Sequence, residues 1–159
     1  MLRGLRSANV EFVVIGGLAA AAHGSRRVTD DLDMCYDAAG KNVVRLAKLL
    51  SKWNAYPRGI ERGLPFFMDE RQFRTTPVMT LTTREGFVDV LHNVKGVGAF
   101  KACRERSKRI AAFGIRFRVL ELGALIDAKK ATGRPKDIDH LPELEALLLL
   151  RNQSTKSPS

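Results

Sequence analysis

Residues 13–34 read VVIGGLAAAAHGSRRVTDDLDM: an apolar run, a glycine pair, four alanines, then three aspartates within four positions. Repulsion and lost hydration both oppose crowding carboxylates beside core-like sequence, so such a cluster needs a cation, a proton or a turn to satisfy it. Val, Ile and Phe at 10–15 predict a buried strand stopped by Gly16-Gly17. Residues 18–23 predict a short helix ended by Gly24-Ser25, and 28–36 a second strand. Side chains alternate along a strand, so Asp31 and Asp33 project together, about 7 Å apart, while Leu32 and Met34 point to the core. By parity Asp30 shares the apolar face, which suits a turn or strand-start residue.

Two carboxylates on one strand face can share divalent cations. The glycine pair allows a ligand to approach the backbone, and the helix start after it suits phosphate, although a tight packing turn would also explain the glycines. The spacing is neither GxGxxG nor GxxxxGK[ST], which excludes a dinucleotide fingerprint and a P-loop. A third acid, Asp89, interrupts the apolar strand GFVDVL at 86–91. Away from a sheet edge, a charge there requires a cation or a hydrogen-bond network.

Elsewhere, apolar residues at helical spacing over 41–53 predict an amphipathic helix with Lys41, Arg45, Lys48 and Lys52 in water. Residues 57–63 read as a loop, with strands at 66–68, 78–83 and 87–91 and a short helix at 97–105. Period-two patterning at 107–112 and 115–120 around Phe113-Gly114 predicts a hairpin. Helices follow at 122–132, closed by Gly133, and at 137–150. The order predicts an α/β fold with a mixed sheet and C-terminal helices, as a single domain over 1–151 and a disordered polar tail at 152–159. Cys35 and Cys103 form no metal-binding motif and read as free thiols, and the three histidines lack zinc spacing. With no apolar run near 20 residues and no signal-like start, the expectation is a cytoplasmic protein without membrane contact.

The net charge of +10 is uneven: residues 95–136 hold 12 Lys and Arg against 3 acids, a local +9. A concentrated positive field attracts polyanions, nucleic acid foremost, though a basic face also serves solubility.

The stretch IGGLAAAAHGSRRVTDDLDM resembles the signature of the nucleotidyltransferase superfamily related to DNA polymerase beta, a glycine turn followed by Asp-x-Asp on a strand. Arg27, Thr29, Asp31, Leu32 and Asp33 are similar to the Arg-x-Thr-x-Asp-Leu-Asp of its AbiEii-type branch, which includes toxins of toxin–antitoxin systems. LIDAKKATGRPKDIDHL resembles that branch's C-terminal segment through Lys129, Arg134, Lys136 and Asp137. Leu18 departs from the Ser many members carry, and the chain is short for the branch, leaving room for a partner or second subunit.

The resemblance implies a minimal nucleotidyltransferase fold and transfer of a nucleoside monophosphate from a triphosphate to an acceptor hydroxyl. It implies two Mg²⁺ or Mn²⁺ ions held by Asp31, Asp33 and Asp89, with Gly16 and Gly17 against the triphosphate. Lys129 would neutralise phosphate charge, helped by Arg27 or Lys136. Asp137, three residues after Arg134 and at a helix start, suits an N-cap or a pairing with a nearby cation as well as support of the site. Basic charge points to RNA, such as tRNA, as acceptor. The alternatives are a non-catalytic nucleotide- or nucleic-acid-binding module and an antitoxin-like interaction subunit, and a cognate partner or homodimer fits either.

Overall fold

The computed structural model describes residues 1–156. Its strands are β1 (Phe12–Ile15), β2 (Asp31–Tyr36), β3 (Tyr56–Pro57), β4 (Val78–Thr83), β5 (Gly86–Leu91), β6 (Asn93–Val94), β7 (Gly98–Ala99), β8 (Ser107–Ala112) and β9 (Ile115–Leu120). Its helices are α1 (Leu2–Ser7), α2 (Gly16–Ala22), α3 (Gly40–Lys52), α4 (Glu70–Thr75), α5 (Phe100–Glu105), α6 (Leu122–Thr132), α7 (Pro135–Ile138) and α8 (Leu141–Ser154). Seven strands form one mixed sheet in the order β3-β4-β5-β2-β1-β9-β8, and β6 and β7 pair separately. This is the expected α/β architecture with C-terminal helices. No helix among the described residues is long and apolar enough to cross a membrane.

The apolar strands lie at the centre because only there are both faces covered. Leu32, Met34, Val88 and Val90 alternate with the acids and join Phe12, Val14, Leu46 and Leu50 in one core. Asn42, buried on α3, ties that helix to the residue just before β1, donating to Glu11 O at 3.0 Å and accepting from Glu11 N at 2.7 Å. The hairpin forms where patterning predicts, with Phe113 and Gly114 both at positive φ, 55° and 73°, as a two-residue turn between twisted strands requires.

The departures are local. Residues 66–68 form no strand: Phe67 is exposed, and this segment instead leads into α4, whose Phe73 meets Tyr36 edge-on at 5.2 Å. Val28 lies outside β2 in an exposed loop, as does Asp30. The helix predicted over 137–150 is two, because the chain turns at Asp139-His140 and restarts with Pro142 in the first turn of α8. That helix runs through Ser154, into the segment expected to be a disordered tail, and residues 157–159 lie outside the described residues.

Candidate active site

Asp31 and Asp33 stand on one face of β2, and β5 runs parallel beside it with Asp89 directly opposite Asp33. Since β5 lies between β4 and β2, Asp89 is not on an edge strand. Three carboxylates therefore gather on one face of the central strand pair, as parity predicts.

Gly16 and Gly17 bound this cluster. At φ +62° Gly16 lies so close to Asp33 that a Cβ would overlap its carboxylate, and a Cβ on Gly17 would come within 2.8 Å of the Thr29 side chain. Small residues are required here for packing, and the backbone N–H of Gly17 is near enough to favour the charged Asp33 carboxylate. The Asp33 carboxyl is nevertheless pushed from 3.8 up to about 6, by burial first, then by the charges of Asp89 and Asp31. Asp89 is also raised, chiefly by burial, against the opposing pull of Arg58.

Arg58 falls in the stretch the sequence predicts as a loop, and nothing in the sequence marks it as a site residue. It follows β3 and inserts its guanidinium between two acids, donating to Asp31 Oδ2 at 2.9 Å and to Asp89 Oδ1 at 3.0 Å, with its plane 4.7 Å from the Phe87 ring. Its Nε is buried with no hydrogen-bond partner. No local pattern marks it, because the contact spans 27 and 31 residues. No three His, Cys, Asp or Glu side chains among the described residues converge as metal ligands would. The donor set itself fits a hard divalent cation: three carboxylates, oxygen donors that burial and mutual repulsion leave short of positive charge.

The C-terminal segment closes over this face. Arg27 donates to Asp139 O at 2.6 Å and to Lys136 O at 3.4 Å, so it holds the α7 backbone rather than aiming at the acids. Lys136 is exposed, and its charge is felt by both Asp33 and Asp89. Lys129 donates to Asp137 Oδ1 at 2.9 Å, and Arg134 to Asp137 Oδ2 at 2.7 Å. Burial acts to raise the Asp137 carboxyl, but these two cations override it and hold it below the ordinary range. Ser25, His140 and Glu143 lock the preceding loop to α8, with Ser25 Oγ 2.9 Å from His140 Nε2 and donating to Glu143 at 3.0 Å. One open cavity of about 400 Å³ adjoins Asp31, walled in part by Leu18, Thr29, Leu32 and Phe113.

No family model and no curated protein sequence matches the chain. Solved structures do resemble it. A provisionally assigned nucleotidyltransferase from Thermotoga maritima superposes with a TM-score of 0.56 at 16% identity, over 89% of this chain and 90% of that one. The antibiotic-resistance factor ANT(2'')-Ia gives 0.55 at 14% identity, over 97% and 89%. An antigenic nucleotidyltransferase-like protein from Paracoccidioides brasiliensis gives 0.51 at 16%, over 93% and 72%. With its mixed sheet, surrounding helices and C-terminal helices, the chain has the nucleotidyltransferase-like fold.

Proposed function

We propose that the protein is a metal-dependent nucleotidyltransferase that moves a nucleoside monophosphate from a triphosphate to a hydroxyl on RNA. The observation that carries this reading is the register of β2 and β5, which sets Asp33 opposite Asp89 with Asp31 on the same face, beside the Gly16-Gly17 turn. Asp31, Asp33 and Asp89 would hold two divalent ions, whose chemistry when bound is to stabilise the attacking and leaving oxygens of an in-line displacement.

The chain's own residues do the rest. Asp89 faces the acceptor hydroxyl and takes up its proton. Gly16 and Gly17 let the triphosphate approach the backbone, and Lys136 supplies positive charge at the phosphates. Arg27 positions Lys136 through the α7 carbonyls, while Asp137 fixes Lys129 and Arg134 behind it. Arg58 holds Asp31 and Asp89 in place and would give them up to a bound divalent ion. The cavity beside Asp31 offers room for a nucleoside between Leu18 and Phe113.

The positive charge of 95–136 favours RNA over a cationic small acceptor such as an aminoglycoside. The resemblance to the AbiEii-type branch supports a place in a toxin–antitoxin pair. The test is transfer of α-labelled nucleotide to total cellular RNA, protein and aminoglycosides, with each of the four triphosphates and Mg²⁺ or Mn²⁺. Labelled RNA, abolished by Asp31→Asn with Asp33→Asn, is the expected result. No transfer to any acceptor refutes the enzyme, and transfer to protein or aminoglycoside alone refutes the RNA acceptor.

A further inference from the structure

A second concentration of like charge lies on the same sheet face as the carboxylates. Arg6, Arg104, Arg109, Arg116 and Arg118 line a cavity of about 310 Å³, where Glu11 is the one acid among the lining residues. Arg116 and Arg118 are two apart on β9 and share a face, and Arg109 stands directly opposite Arg118 on β8. Like charges facing each other across a strand pair destabilise it. Yet none of the five forms an ion pair among the described residues. Arg118 is half-buried and reaches only Ser107, donating to its Oγ at 3.3 Å and its O at 3.4 Å. Burial, Arg109 and Arg104 all depress its pKa against Glu11. Guanidiniums crowded into a concavity without ion-pair partners suit a ligand rich in acceptor oxygens.

Strand pairing relates this cavity to the acids. Arg118 pairs with Val13, Val13 with Cys35, and Cys35 is two residues beyond Asp33, so Arg118 and Asp33 share a face. Between them α5 packs against β1, β2, β8 and β9 and contributes Arg104. A ligand spanning both sites must therefore be long and repeatedly anionic. A protein partner is the poorer fit, since interfaces rely on aromatic anchors and both aromatic residues in the wall, Phe12 and Phe117, are buried.

We propose that the arginine cavity is a phosphate subsite that grips the backbone of a single RNA strand. That the same strand delivers its hydroxyl to Asp89 rests on the function proposed above.

The test is fluorescence anisotropy of a labelled single-stranded RNA oligonucleotide, in EDTA without triphosphate, as salt is varied. Arg104→Gln, Arg109→Gln and Arg116→Gln together remove three exposed guanidiniums. Lys41→Gln, Arg45→Gln and Lys48→Gln on α3 remove the same charge elsewhere. The cavity variant should bind roughly tenfold or more weakly, and its slope of log affinity against log salt should fall by about 2, at about 0.7 per phosphate contact. The α3 variant should change little. If circular dichroism shows that the triple variant does not fold, the pair Arg104→Gln and Arg116→Gln replaces it, with a slope change of about 1.4. Equal losses in cavity and α3 variants overturn the proposal. So does equal competition by poly-glutamate, which assigns the cavity to an acidic protein. So does pyrophosphate binding that the triple variant loses while RNA affinity is unchanged, which assigns it to a free phosphate. RNA bound through the arginines but never labelled refutes the RNA acceptor and leaves the subsite standing. RNA labelled by a protein whose affinity ignores the arginines does the reverse.

Discussion

Asp33→Asn should make the metal-free protein more stable at neutral pH. Folding raises this carboxyl from 3.8 to about 6, through burial and the charges of Asp89 and Asp31. A raised folded value means that stability is greatest below the unfolded value and is lost as pH climbs through about 6, because the folded state must then hold an unwelcome charge. At about 1.4 kcal/mol per pH unit the penalty approaches 3 kcal/mol. Counterions and water at this half-open site reduce it to about 2 kcal/mol. Asparagine keeps the shape, offers an oxygen to the Gly17 N–H and carries no charge. At roughly 2–4 °C per kcal/mol, Tm in EDTA should rise by roughly 4–8 °C at about pH 8. At about pH 4, where wild-type Asp33 is protonated, the two proteins should melt nearly together. The assay is thermal unfolding by circular dichroism across pH. An unchanged or lowered Tm at pH 8, or a gain of equal size at both pH values, would show that Asp33 is not the crowded group described.

Three further outcomes are expected. Arg58→Gln leaves Asp31 and Asp89 without their cation. Because the pair is about a third exposed, the loss should be about 1–2 kcal/mol rather than that of a buried pair, with millimolar Mg²⁺ recovering more of the Tm than in wild type. Asp137→Ala strands the largely covered Lys129 ammonium, so unfolding should show a loss of about 2–3 kcal/mol, and adding Lys129→Met should restore much of it. His140 is held below its ordinary 6.5 by burial and by Lys129 and Arg27. Its contribution is therefore present above 6.5 and lost as pH falls through the lower folded value, and a ring-proton NMR titration midpoint at or above 6.5 would contradict the packing around Ser25.

What could be read in the sequence was whatever repeats locally. Strand parity selected Asp31 and Asp33 over Asp30, and the hairpin and α6 were readable because period-two patterning and a C-terminal glycine are properties of neighbours in the chain. The phenylalanines at 66 and 67 misled, since an apolar pair predicts burial, while the adjoining α4 found its own anchor in Tyr36 through Phe73. Arg27, Lys129, Arg134 and Asp137 are marked by the resemblance, but not the contacts that join them. Arg27 grips carbonyls more than 100 residues away, a contact made by chain crossing rather than by spacing. Arg58 had no local signal for the same reason.

Cation, proton and turn are the three ways to satisfy crowded carboxylates, and this fold uses all of them at once. The Gly17 N–H supplies the turn's share to Asp33, a proton with a midpoint near 6 supplies another, and Arg58 supplies the cation to Asp31 and Asp89. Each is weak enough to be displaced: a backbone dipole cannot neutralise a full charge, a proton held at about 6 is mostly gone at neutral pH, and a guanidinium still a third exposed is screened by water. A group evolved for structure alone would end as Asp137 does, sealed between Lys129 and Arg134 with its carboxyl held below the ordinary range. The two aspartate arrangements differ in this physical sense, and the difference favours exchange at Asp31, Asp33 and Asp89: an entering divalent cation would release the Asp33 proton and free Arg58, so its affinity should rise with pH through about 6.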